Sequence, residues 1–252
     1  MIAAAVAGAA LGSKLLFWFE DPELTWHNLH NLAYLMGGKT IVGALVFGLI
    51  SVELIKRYIG VHQSTGDLYA IPLALGIAIG RIGCFLTGLA DNTYGTPTKL
   101  PWAINFGDGI PRHPTQLYEI AFLLFLVPIL YRILRQEPPQ PMWGQPPSAV
   151  QSSAARQLSS PDRTVRRTTV RLDPSLRSAQ RTSSVFLPGD AFKVFMVAYL
   201  FFRLPCDFIK PYPRIFLGLG GIQWACLFAL LYYSRDIVRW LCSGSTVATS
   251  RA

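Results

Sequence analysis

The chain reads as an all-α, polytopic integral membrane protein of about six transmembrane helices with an outward loop segment. Three observations predict this. Of the 252 residues 51% are hydrophobic and only 15% charged, whereas a soluble domain carries about 25% charge. The charges sit in short blocks between apolar runs, several of which reach the roughly 20 residues that a bilayer demands. The blocks alternate between basic and mixed or acidic, as the loops of a multi-spanning protein do.

The expected spans follow in order: 2–19, 39–55, 67–89, 116–135, 190–209 and 215–234. The first, MIAAAVAGAALGSKLLFWF, resembles a signal peptide, but it has no basic leading segment and Lys14 comes late, so it reads as a helix. The second, GGKTIVGALVFGLISVEL, is glycine-rich, which lets a neighbouring backbone approach closely. The third ends in GRIGCF, with Arg81 inside an apolar run and Gly80 and Gly83 leaving room for close packing. The fourth, QLYEIAFLLFLVPILYRIL, is the most apolar. The fifth, AFKVFMVAYLFFRLPCDFI, carries Arg203 and then Pro205.

Loop charge then orients the spans. Lys56 and Arg57, then Arg132 and Arg135 with the arginine-rich stretch behind them, then Arg235, Arg239 and Arg251 mark the inner side. Loops 20–38, 90–115 and 210–214 fall outside, and both ends of the chain fall inside. Residues 137–189 are rich in Pro, Ser, Gln and Arg and are expected to form a disordered basic insert in the cytoplasm. The expected division is therefore a membrane part over 1–136, the insert over 137–189, and a second membrane part with a short tail over 190–252.

The net charge of +9 does not point to nucleic acid. Seven arginines (Arg156, Arg163, Arg166, Arg167, Arg171, Arg177 and Arg181) lie in the insert, where the positive-inside rule accounts for them, and where they can meet anionic membrane lipids. The cysteines, Cys84, Cys206, Cys226 and Cys242, form no CxxC pair and no zinc-spaced cluster with histidine, so buried thiols are expected and no metal or cofactor.

Chemistry is expected at Arg81 and Arg203. A mid-membrane arginine costs about 2.5–3.5 kcal/mol, so such residues face a protein interior or a wet cavity. They either form ion pairs, with Glu119 or Asp207 as candidates, or clamp an anion, and in a bilayer the obvious anion is a lipid phosphate. The outer loop closes with RHPTQLYE, which puts Arg112, His113, Gln116, Tyr118 and Glu119 at a helix start. Thr115 is the expected N-cap, and Gln116 and Glu119 fall at i, i+3 on one face.

The block GRIGCFLTGLADNTYGTPTKLPWAINF…PRHPTQLYE resembles the signature of the phosphatidylglycerol–prolipoprotein diacylglyceryl transferases, G-R-[IL]-G-N-F-[IL]-N-G-E…G…PW…RHP[ST]QLYE. Tyr199 and Arg203 are similar to a second family motif, Y-x-x-x-R, and Asp207 and Lys210 stand where the family tends to have an acid and a base. The resemblance implies an inner-membrane enzyme that moves diacylglyceryl from phosphatidylglycerol to the thiol of a lipobox cysteine in an exported prolipoprotein, without metal or cofactor. It implies catalytic roles for Arg81, Arg203, His113 and Glu119. It implies substrate binding by those arginines with Tyr199, Gly83, Gly95, Arg112, Gln116 and Tyr118.

The departures are specific. Val42 stands at the family's third-span histidine and Thr40 at the neighbouring serine. Cys84 replaces an asparagine, Leu89 a glutamate, and Lys14 an arginine. The family's first span has no counterpart, so a late start or a truncated chain is expected. These losses leave two alternatives to the transferase: a related enzyme that uses the same phosphate clamp on another acceptor, or a non-catalytic lipid-binding membrane protein.

Overall fold

The computed structural model describes residues 1–61, 64–136, 186–211, 214 and 216–249. The expected insert lies almost wholly outside the described residues. The described chain is helical apart from one short β-ribbon. Its elements are α1 (Ile2–Glu20), α2 (Pro22–His27), α3 (Leu32–Met36), α4 (Ile41–Ile59), α5 (Asp67–Thr87), a 3₁₀ turn (Gly88–Asp91), β1 (Ile104–Asn105), β2 (Pro111–Arg112), α6 (Thr115–Gln136), α7 (Asp190–Phe208), α8 (Gly221–Tyr232) and α9 (Ser234–Thr249).

Small residues bring α1 and α4 together as an antiparallel pair. A Cβ at Gly8 would lie 2.8 Å from the Phe47 carbonyl oxygen, and one at Gly43 would lie 2.8 Å from Leu16 Cβ. The Ser13 carbonyl closes this crossing by accepting both the amide and the hydroxyl of Thr40, each at 3.2 Å. The glycine-rich span thus does what its composition implies.

A second pair, α5 and α6, packs through an alanine stripe. Ala70, Ala74 and Ala78 are buried at four-residue spacing, and Arg81 continues that line one turn on. Facing them are Leu123, Leu126 and Leu130 of α6. Helix α7 lies against both α5 and α6 and buries Phe195, Met196, Tyr199 and Leu200. Helix α8 joins α7 to the α1–α4 pair, its first residue Gly221 pressed against the backbone of Phe19 and Glu20.

The outside of this bundle is apolar as well. Ile79, Phe125, Phe201 and Phe228 are each at least 65% exposed, a distribution suited to lipid rather than water. Among the described residues, three helical segments are long and apolar enough to cross a membrane: Ile2–Glu20, Asp67–Asp91 and Thr115–Gln136. The expected spans in α4 and α7 are helices of 19 residues each, but they carry Glu53, Lys56 and Arg57, and Lys193, Arg203 and Asp207.

Some details differ from expectation. Loop 20–38 contains two short helices: Asp21 accepts the Leu24 amide and Asn31 accepts the amides of Ala33 and Tyr34, so each helix has its own cap. The span expected over 215–234 is a 12-residue helix that begins only at Gly221. Its predecessor is a tight turn, with Leu217 and Gly218 at positive φ and Phe216 bridged to Leu219. The expected short tail forms α9. Thr115 is not a cap: it is the first helical residue, its hydroxyl donates to the Thr93 carbonyl, and Pro114 supplies the carbonyl for the amides of Leu117 and Tyr118. Gly80 and Gly83 are not close-packed, since a Cβ at either would meet nothing within 4 Å.

Candidate active site

Three helices build a buried ionic cluster at one end of the bundle. Arg81 arrives from α5 because it extends the alanine stripe, Glu119 from α6 one turn after Gln116, and Tyr199 and Arg203 from α7 at i, i+4. Glu119 Oε2 lies 2.9 Å from Arg81 Nη2 and 3.2 Å from Arg203 Nη1. Its Oε1 accepts the Tyr199 hydroxyl at 2.6 Å. Arg203 turns its other terminal nitrogen to Asp207 Oδ1 at 3.1 Å, one turn further along α7. All four of Arg81, Glu119, Tyr199 and Arg203 are at most 5% exposed. Burial of this depth is tolerated only because each charge meets an opposite one.

Two further buried groups belong here. Lys210, just beyond α7, is buried, and its surroundings push its ammonium down to about 7: burial does most of this, then the positive charges of Arg203 and Arg81. Glu20, the last residue of α1, is also buried and lies within the field of Asp207, Lys210 and Arg203. Glu20 is missed by sequence reasoning, because FWFEDP looks like an ordinary helix end. Asp207 stands about one turn after Arg203 and Lys210 about two, and the resemblance to the family signals both.

Gln116 sits on the same buried face of α6 as Glu119, and among the described residues neither of its amide atoms has a hydrogen-bond partner. A buried amide so placed is a ready donor and acceptor for a polar ligand group.

The remaining candidates gather in the loop rather than in the cluster. Strands β1 and β2 pair antiparallel, Ile104 opposite Arg112. Arg112 pairs with Asp108 at 2.6 Å and lies over the Tyr94 ring at 4.8 Å. Those hydrogen bonds hold the exposed Asp108 carboxyl below its usual range. His113 Nδ1 and the Tyr118 hydroxyl are 3.2 Å apart, and Trp102 Nε1 donates to that hydroxyl at 2.8 Å. Gly95 is where this loop folds on itself: its amide donates to the His113 carbonyl at 2.9 Å, and a Cβ there would lie 2.6 Å from His113 Cβ. The next amide, Thr96, donates to the Ile209 carbonyl at 2.7 Å, which ties the loop to the end of α7 beside Lys210. Gly83 lies on an exposed side of α5, two residues beyond Arg81. Cys84 Sγ is 3.9 Å from Arg81 Nη1. Val42, in the core, is fully buried and has no acid–base group to offer. Among the described residues no group of three or more His, Cys, Asp or Glu side chains is arranged to hold a metal ion.

Chemically, the cluster sets two fixed guanidinium groups on the Glu119 carboxylate, with Asp207, Glu20 and Lys210 beside them, an arrangement suited to holding or neutralising an anion without reorganisation. A family profile described as prolipoprotein diacylglyceryl transferase matches residues 1–146. The chain is 39% identical over 124 residues to the phosphatidylglycerol–prolipoprotein diacylglyceryl transferase of Bordetella parapertussis, covering 46% of this chain and 45% of that one. It is 37% identical over 147 residues to the protein of the same name from Cupriavidus pinatubonensis, covering 54% and 50%. With that from Methylococcus capsulatus it shares 37% over 145 residues, covering 54% and 51%. The chain thus spans about half the length of the curated relatives it matches. No solved structure matches it. With the profile extending over more than half of its residues, and over both Arg81 and Glu119, the chain belongs to the prolipoprotein diacylglyceryl transferase family.

Proposed function

We propose that the protein transfers diacylglyceryl from phosphatidylglycerol to the lipobox cysteine of exported prolipoproteins, in the bacterial inner membrane. The observation that carries this reading is the convergence of Arg81 and Arg203 on one buried carboxylate. In the proposed step the acceptor thiol loses its proton and its sulfur attacks the terminal glycerol carbon of the lipid. A C–S bond forms, the C–O bond to phosphorus breaks, and the electron pair leaves with glycerol phosphate. Charge grows on the phosphate oxygens as that bond opens, and the two guanidinium groups are set to neutralise it.

Glu119 is a poor acceptor for the thiol proton, because both of its oxygens are already engaged. We assign it to holding the arginines. His113, half-buried in the loop against Tyr118, is the candidate base. Tyr199, Gly83, Gly95, Arg112, Gln116 and Tyr118 would bind or shape the lipid site. The proposed membrane arrangement has six helices crossing (α1, α4, α5, α6, α7 and α8), residues 137–189 as a cytoplasmic insert between parts 1–136 and 190–252, and the site toward the outer leaflet. Basic Lys56, Arg57, Arg132 and Arg135 at the opposite helix ends support this orientation.

The test is complementation. The protein is expressed in a bacterium depleted of its own transferase, and thioether lipidation of a lipobox reporter is followed. Lipidation is expected, with Arg81→Ala and Arg203→Ala abolishing it. A correctly inserted protein that gives no lipidated reporter overturns the reading. Release of glycerol phosphate without reporter lipidation would move it to another acceptor.

A further inference from the structure

We propose that Cys84 is a self-modification site, whose sulfur takes the diacylglyceryl group from the lipid donor when no prolipoprotein thiol is in place. The proposal rests on the reading of the protein as a phosphatidylglycerol-using transferase and adds an acceptor carried by the chain itself.

Cys84 lies on α5 about one turn beyond Arg81, and the two line one cavity of about 330 Å³ whose other walls are apolar. The sulfur accepts from Arg81 Nη1 at 3.9 Å, and the thiol donates to the Asp91 carboxylate. Arg81 is 5% exposed, and among the described residues its buried Nε–H has no partner. The guanidinium therefore brings an open donor for an anionic oxygen to the same wall that carries the sulfur. Cys84 is half-buried, so the cavity reaches it, whereas Cys206 and Cys226 are buried.

Local chain geometry sets Asp91 against the thiol. Gly88, at φ 67°, ends α5, and the 3₁₀ turn Gly88–Asp91 packs on the end of that helix. Asp91 Oδ2 accepts the Thr93 hydroxyl, and the Thr93 carbonyl accepts the hydroxyl of Thr115 at the start of α6. The carboxylate is thus tied to both helices.

A thiol between a carboxylate and a guanidinium has what a sulfur nucleophile needs: an acceptor for its proton and a cation beside the thiolate. In the proposed step Asp91 takes the proton and the sulfur attacks the glycerol carbon next to the phosphate. A C–S bond forms, the C–O bond to phosphorus breaks, and the electron pair leaves with glycerol phosphate. The product is a thioether, so each chain reacts once.

Mass spectrometry tests this directly. The full chain is incubated in phosphatidylcholine nanodiscs containing phosphatidylglycerol, without lipobox peptide, and its cysteine peptides are mapped. A diacylglyceryl group on Cys84 is expected, with one glycerol phosphate released per modified chain and Cys242 left bare as the exposed control thiol. Cys84→Asn is expected to abolish the modification, Asp91→Asn to slow it at least about tenfold, and added lipobox peptide to suppress it. A bare Cys84, or modification of Cys84 and Cys242 alike, overturns the proposal. A lipidated reporter beside a bare Cys84 sinks this proposal alone; a modified Cys84 beside a bare reporter sinks the prolipoprotein reading alone; both thiols bare sinks both.

Discussion

Replacing Glu119 by glutamine asks whether charge holds the cluster together. The substitution keeps the shape and one acceptor oxygen for the Tyr199 hydroxyl, and removes only the negative charge. What remains is two guanidinium groups, formerly 2.9 and 3.2 Å from one oxygen, facing each other in a site that is nearly closed to solvent. A unit ion pair at about 4 Å and an effective dielectric of about 20 is worth ~4 kcal/mol. The desolvation of the arginines is not recovered when the carboxylate goes, so removing it costs about 3–5 kcal/mol. Reversible unfolding in mixed detergent micelles measures this. A cycle with Arg81→Met isolates the pair: the double variant is expected to be less destabilised than the sum of the single variants, by ~0.5–3 kcal/mol. If Glu119→Gln unfolds within about 0.5 kcal/mol of the parent protein, the carboxylate does not anchor the arginines and the account of the cluster is wrong.

Other expectations use the same assay. Tyr199→Phe removes a buried hydroxyl that donates to the carboxylate at 2.6 Å, and is expected to cost about 1.5–3 kcal/mol. Gly95→Ala forces a Cβ to within 2.6 Å of His113 Cβ and is expected to cost ~1–3 kcal/mol, whereas Gly83→Ala enters open space inside a helix and should be neutral or slightly stabilising. Lys210 gives a pH signature. Its folded-state value of about 7 lies below the ordinary 10.5, so between these limits the unfolded chain binds the extra proton. Stability should then rise with pH across that window, by at most about 1.4 kcal/mol per unit. Unfolding midpoints at pH 7 and pH 9 measure the rise, and Lys210→Met should abolish it.

Much of the bundle was legible because membrane helices announce themselves by length and apolarity. The starts of α1, α5 and α7 fall within a residue or two of expectation for that reason. The short helices α2 and α3 were not legible, because their formation depends on local caps at Asp21 and Asn31 rather than on periodicity. Nor was the late start of α8, since LGLGG is apolar and merges with the helix behind it; positive φ at Leu217 and Gly218 is what separates them. Arg81 and Arg203 could be picked out by the cost of their placement, and Glu119 by its position one turn after Gln116. Their meeting at a single oxygen could not, because it depends on how three helices rotate against one another. Glu20 escaped because it lies at a helix end, where a charge is ordinarily solvated.

Asp67, the first residue of α5, accepts the amides of Gly189 and Phe192, the latter at 3.1 Å, from positions 122 and 125 residues further on. A negative charge thus sits at the positive end of α7 and fixes where that helix begins against α5. The alignment of the two parts of the bundle is consequently carried by a side chain and not by the tether between them. The spacing of Arg81 and Arg203 is therefore gauged inside the bundle, where Asp67 meets the first turn of α7.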